Sequence, residues 1–549
     1  MTARTESRFT AALCVTGLLL GTLFFAASLG PGLLPRTWAM QGILSGFSLA
    51  IGYGIGAYGR RLWRWLELPR FGERWHTVAV IVAGTVCLGV MLAALWHAAA
   101  WQNSLRALMG LAPVDSAHPF RVGGVALLVF GALLGVARLF QMTWRFFARK
   151  FGRFIPRRVA ALAGVVAAIF VFWTIINGVL FSQLLRSFDA SFQGIDARIE
   201  AETAAPVEPW RTGSGASLIA WEDLGRRGRE FIAAGPTLES LQARFGSTAQ
   251  APLRIYVGLN SGETIQSRVD LAMAELDRVG AWDRSVLVLV TPTGTGWIDP
   301  NAIETLELLH RGDVATVALQ YSYLPSWLSL MAEGEYGAET ARATFAAIYG
   351  RWTSLPRDQR PKLYLHGLSL GALNSALAAD IYDVIADPLN GALWSGPPFR
   401  SVMWRTLTDQ REPSSPAWLP RFRDGSVVRF TSQTNALDLP DAQWGPMRIV
   451  FLQYASDAIT FYETRAAFRQ PAWMEAPRGP DVSPALRWYP VVTMLQLAVD
   501  IVAADKAPMG FGHVYAPEHY LDAWVAVSDP EGWDSAALQA LREEFRARR

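Results

Sequence analysis

The chain has 549 residues, 51% of them hydrophobic, and its 50 basic and 47 acidic side chains nearly cancel to a formal charge of +3. That small excess comes mainly from arginines lying between apolar stretches, so it is no signature of nucleic-acid binding. Cys14 and Cys87 are the only cysteines, and there is no C-x-x-C pair, no His-x-x-x-His and no P-loop. The sequence thus excludes a disulfide framework and argues against metal or nucleotide chemistry, and it implies no cofactor.

In chain order, five apolar stretches come first, at about 9–29, 38–58, 76–98, 122–142 and 159–182. Each is near or above the roughly 18 to 20 residues needed to cross a bilayer core. Residues 1–185 are therefore predicted to form a helical membrane domain of about five spans, with the lipid bilayer as its partner. The connection after the second span holds Arg60, Arg61, Arg64, Arg70 and Arg74, and that after the fourth holds Arg145, Arg149, Lys150, Arg153, Arg157 and Arg158. The connections after the first and third spans contribute mainly Arg36 and Arg106. By the positive-inside rule the two basic loops are cytoplasmic, and everything beyond about residue 185 lies outside the cytoplasmic membrane. Reading the first span as a cleaved signal peptide leaves the same side for the C-terminal half, and no clean small-x-small site follows Phe25.

Residues 186–215 carry Asp, Glu, Pro and Gly without sustained periodicity and are read as a linker. From 216 to 549 the pattern changes to short apolar runs alternating with helical stretches. Strands are predicted at 253–257, 285–290, 314–320, 362–366, 391–395 and 448–454, with helices at 264–279, from about 301, and at 338–351. Such alternation predicts an α/β domain with a mostly parallel sheet and helices on both faces. After the strand at 285–290 comes Thr291-Pro-Thr-Gly-Thr-Gly296-Trp297, a loop placed to offer backbone N–H groups to a developing oxyanion.

The strand at 362–366 breaks into Gly367-x-Ser369-x-Gly371 and continues as a helix-forming stretch. This is the form of a nucleophile elbow, in which glycines flank a serine on a turn too tight for side chains. The five-residue pattern recurs by chance, so its context carries the reading. The segment 399–445, rich in Pro, Trp and Arg, is predicted as a cap inserted over the site, where Trp394, Trp404, Trp418 and Trp444 could line a pocket or simply fill the core. The strand 448–454 ends in Ala455-Ser456-Asp457, which puts a carboxylate at a strand's C-terminal end. Asp438, Asp441 and Glu463 are its rivals, and none directly ends a strong apolar strand. Residues 489–503 read equally as helix or strand. His513 then falls in the glycine-flanked loop 509–515, in preference to His310, His366 and His519; His366, just before the elbow, reads as structural.

Ser369, Asp457, His513 is the chain order of one recurrent serine–acid–base arrangement, distinct from the orders of chymotrypsin and subtilisin. On these residues the C-terminal half resembles the α/β-hydrolase superfamily, and the whole chain is similar to a bacterial membrane family of that superfamily with a multi-helix N-terminal domain. The resemblance implies a serine hydrolase, esterase- or lipase-like, with Ser369 as nucleophile, His513 as base and Asp457 orienting it. Backbone N–H groups of Leu370, Thr295 and Gly296 would form the oxyanion hole. The expected substrate is an ester or related acyl compound, and the membrane domain points to a lipid- or envelope-linked one, though an anchor alone would serve as well. Two other readings stand beside it: an envelope acyltransferase using the same serine, and a catalytically inactive membrane scaffold that keeps the fold.

Overall fold

The structure is a computed structural model that describes residues 13–69, 72–181, 196, 204–324 and 335–548. The start of the first predicted span, Arg70 of the first basic loop and most of the predicted linker lie outside the described residues. The chain divides into two compact units. One comprises Met1–Ser182, Tyr462–Met474 and Pro480–Ala504, and the other Gln183–Phe461, Glu475–Gly479 and Asp505–Arg549.

The first unit is helical: α1 (Val15–Ser28), α2 (Trp38–Trp65), α3 (Glu73–Leu108), α4 (Pro119–Phe151) and α5 (Arg157–Trp173), the last running on into a wide turn at Thr174–Phe181. Among the described residues, three helices are long and apolar enough to cross a membrane: α3, α4 and Arg157–Asn177, whereas α1 is shorter. Five spans are expected from the sequence, and α2 falls short because small and polar residues dilute it. Those residues are used for packing. Gly42 and Gly46 meet Val125 and Val129 of α4, while Gly52 and Gly56 meet Gly21 and Gly17 of α1. A Cβ at Gly46 would lie 2.6 Å from the Val129 Cβ, a backbone approach that only small residues permit. Gln41 donates to the Ser28 carbonyl at 2.9 Å, and the Ser28 and Ser45 hydroxyls pair at 2.8 Å, so these buried polar groups are satisfied within the bundle.

The segment left undecided between helix and strand is a helix, α10 (Val492–Ala503), and it belongs to this helical unit. It is held by Asp500, whose carboxylate takes Nε and Nη2 of Arg36 at 2.8 and 3.0 Å and the Leu33 N–H at 2.8 Å. Both side chains of that ion pair are fully buried. Gln496 donates to the Gly30 carbonyl at 3.1 Å.

The second unit is built on a seven-stranded sheet in the order β1-β3-β2-β4-β5-β7-β6. The strands are β1 (Leu253–Val257), β2 (Val286–Thr291), β3 (Val314–Leu319), β4 (Lys362–Leu368), β5 (Gly391–Ser395), β6 (Val428–Thr431) and β7 (Arg448–Leu452). Every pairing is parallel. Almost every strand residue is buried, which accounts for unbroken apolar runs where a half-exposed sheet would alternate. β6 lies inside the segment read as a cap and was not predicted.

Its helices include α6 (Ile265–Arg278), α7 (Pro300–Leu309), α8 (Tyr336–Ser354), α9 (Leu370–Ala378), α11 (Pro517–Ser528) and α12 (Ser535–Ala547). They cover both faces of the sheet. Tyr364 and His366 of β4 pack on Trp524 of α11, whereas Trp394 of β5 donates its indole N–H to Ser375 of α9 at 3.0 Å. Gly367 pairs with Trp394 in register, so His366 and Trp394 point to opposite faces.

Candidate active site

β4 delivers Ser369 to a turn that no ordinary side-chain-bearing residue favours. Its φ and ψ are 57° and −123°, and α9 begins at the next residue. The flanking glycines explain how the turn closes. A Cβ on Gly367 would lie 2.4 Å from the Gly371 carbonyl carbon, and one on Gly371 would lie 2.2 Å from the Thr291 carbonyl oxygen. Both contacts are with backbone, which cannot give way. Ser369 donates its own N–H to the Ser395 carbonyl at 2.9 Å, tying the elbow to the end of β5. The residue is 6% exposed.

Asp457 follows β7 and is fully buried. It caps the short helix Ala458–Phe461 through the Ile459 N–H at 2.9 Å, and it also receives His513 Nδ1 at 2.7 Å. An ionised carboxylate can only accept, so Nδ1 carries the hydrogen, and in the neutral ring Nε2 would present a lone pair. That Nε2 is buried and has no hydrogen-bond partner among the described residues. Ser369 and His513 accordingly make no hydrogen bond to each other among the described residues. Gly396, one residue beyond the carbonyl that holds Ser369, lies against the imidazole: a Cβ there would be 2.6 Å from His513 Cε1. The loop carrying His513 turns at Gly510 and Gly512, both with positive φ, and Gly512 donates to Ser456 Oγ at 2.9 Å.

Sequence reading missed two neighbours. Tyr515 donates its hydroxyl to Asp457 Oδ2 at 2.8 Å. Burial, reinforced by the Asp457 charge, pushes the phenol well above its usual range, so it remains a donor. Asp299, at the start of α7, is buried and accepts from the Tyr520 hydroxyl at 3.0 Å. Burial raises its pKa to about 6, opposed by the Asn301 N–H, Tyr520 and the nearby His513. Its position two residues after the glycine-rich loop was the available signal.

That loop is fixed from below, since the Tyr256 hydroxyl donates to the Gly296 carbonyl at 2.9 Å. The Gly296 N–H is already spent on the Thr293 carbonyl at 2.9 Å, which removes it as an oxyanion donor. Leu370 is the first residue of α9, so its N–H has no intrahelical acceptor.

The other histidines are placed elsewhere. His366 lies under the elbow with Nδ1 donating to the Leu393 carbonyl at 2.8 Å, and burial lowers its pKa to about 4, so it stays neutral. His519 Nδ1 is 2.6 Å from the Tyr454 hydroxyl, and His310 Nε2 is 2.9 Å from the Ser528 hydroxyl. Asp438 and Asp441 are exposed. Of the tryptophans, Trp394 and Trp404 are core residues, Trp404 donating to Gln453 Oε1 at 2.6 Å. Trp444 stacks on the Arg429 guanidinium at 3.9 Å.

Residues 253–541 match an alpha/beta-hydrolase family, and residues 29–236 match an alpha/beta-hydrolase family N-terminus. Among solved structures, a chain of Trichoderma reesei cutinase in complex with a C11Y4 phosphonate inhibitor aligns at 13% identity. It covers 43% of this chain and 87% of that one at a TM-score of 0.19, too slight a likeness to build on. No curated protein matches the sequence.

Proposed function

The chain belongs to the alpha/beta-hydrolase family, and on that premise we propose that it is a membrane-anchored serine hydrolase acting on an ester or related acyl substrate outside the cytoplasm. The observation that carries this reading is the buried Asp457–His513 hydrogen bond, 2.7 Å, beside a serine held at positive φ between two obligatory glycines. In the proposed reaction the Ser369 hydroxyl loses its proton to His513 Nε2 as its oxygen bonds to the acyl carbon. The carbonyl becomes an oxyanion stabilised by N–H groups of Leu370 and of the loop at Thr295. The imidazolium, oriented by Asp457, returns the proton to the leaving oxygen as the ester bond breaks. Water, deprotonated by the same nitrogen, then releases the acid and restores the serine.

The helical unit supports a location in the cytoplasmic membrane, with the arginine-rich connections after α2 and α4 inside and the hydrolase unit outside. The test is labelling of isolated membranes with a fluorophosphonate probe. The parent protein should be labelled and Ser369→Ala should not; equal labelling of both, or none of the parent, overturns the assignment.

A further inference from the structure

Between α2 and α4 lies a cavity of about 1510 Å³ that the proposed chemistry does not use. Its walls follow from helical spacing. Phe47, Ile51, Gly54, Tyr58 and Arg61 recur every three or four positions along α2, and Leu134, Arg138, Gln141, Arg145 and Arg149 do the same along α4. Gly42 meets Val125 and Gly46 meets Val129, so the two helices run in the same direction. Both lining faces therefore change from apolar to basic at the same end, where Arg153 and Arg157 also line the cavity.

Six arginines line it, at 61, 138, 145, 149, 153 and 157, and among the described residues no aspartate or glutamate does. Arginines that only set topology need no more than a solvated loop. Arg138 and Arg145 instead lie within α4 on the cavity face, whereas Arg60 and Arg64 of α2 do not line the cavity. Like charges around one space repel each other, and an anion among Arg61, Arg145, Arg149, Arg153 and Arg157 relieves this. Planar guanidinium groups suit a phosphate, which accepts two parallel N–H bonds from each. The apolar remainder calls for hydrocarbon. The run from Phe47 to Arg61 is about 21 Å at about 1.5 Å per residue, close to one leaflet of a core about 30 Å thick plus its headgroup.

We propose that this cavity binds one anionic glycerophospholipid, with its phosphate among the arginines at the basic end and an acyl chain along the α2–α4 wall. Basic pockets between membrane helices are general sites for such headgroups.

The full-length protein, extracted in mild detergent, is incubated with dioleoyl phosphatidylglycerol or dioleoyl phosphatidylcholine, and retained lipid is read by native mass spectrometry. The parent should retain the anionic lipid preferentially. R145Q/R149Q should reduce that retention at least about tenfold, the loss expected from removing even one charged hydrogen bond. A137W fills the cavity but keeps every arginine, and it should do the same; if the glutamine variant fails to insert, A137W decides alone. Equal retention of both lipids, or undiminished phosphatidylglycerol in A137W, overturns the proposal. So does displacement of the lipid by millimolar inorganic phosphate, which would assign the arginines to a free anion.

Discussion

Ser369 adopts φ 57° and ψ −123°, a region in which a Cβ is strained. Residues in such regions cost of the order of 1–3 kcal/mol. Ser369→Ala removes the hydroxyl and keeps the Cβ, so it keeps the strain, whereas Ser369→Gly releases it. Glycine also loosens the unfolded chain, which offsets about 0.4–1 kcal/mol of the gain. The net expectation is that S369G exceeds S369A by about 0.5–2 kcal/mol. At about 2 °C per kcal/mol, the low end of the range for large domains, this is a rise of about 1–4 °C in Tm. Scanning fluorimetry of the two full-length variants in the same detergent measures it. An S369G protein melting at or below S369A would refute the claim that this turn stores strain, and with it the physical reason for reading the turn as a nucleophile elbow.

Gly396→Ala should slow fluorophosphonate labelling about a hundredfold, since a Cβ 2.6 Å from His513 Cε1 must displace the imidazole; labelling at the parent rate would show that His513 is not the base. Asp500→Asn strands the buried Arg36 charge and should cost about 3–5 kcal/mol in thermal unfolding, while R36M/D500L should recover part of it; a double variant no better than the single would contradict the burial argument. Asp299, with its carboxyl raised from 3.8 to about 6, binds more protons folded than unfolded, so its contribution is full below about pH 4 and is lost as pH rises through 6. The difference is about 3 kcal/mol at about 1.4 kcal/mol per pH unit, and Asp299→Asn should flatten that slope in melts between pH 4 and 7; an unchanged slope would place the titration elsewhere.

The β strands that were legible share one property: they are buried on both faces and so are written as runs such as Val286–Thr291 and Ile449–Leu452. β6 was hidden by Arg429, which reads as a surface residue. Its guanidinium is instead buried, donating to the Gly425, Leu437 and Ala442 carbonyls, a set of partners invisible in any local pattern. Residues 489–503 could not be assigned because the partners that settle them, Gly30, Leu33 and Arg36, lie more than 450 positions away. At the site, the serine and its glycines are a contiguous motif, and Asp457 and His513 follow a strand end and a glycine-rich turn. Tyr515 shares the glycine-flanked loop and Asp299 follows the glycine-rich one, yet that position alone gives neither a role, since a tyrosine hydroxyl or an N-capping aspartate becomes informative only when its acceptor or donor is known.

The stretch separating Asp457 from His513 carries a consequence for dissecting the protein. Residues 462–474 and 480–504 fold with the N-terminal helices, so a single cut near residue 182 cannot yield a self-contained hydrolase half. The fragment would keep Asp500 without its arginine and an apolar helix without its cover, and it should aggregate unless that loop is shortened as well. Swapping in a foreign anchor meets the same obstacle, which makes the two halves one transferable unit rather than an enzyme with a detachable tether.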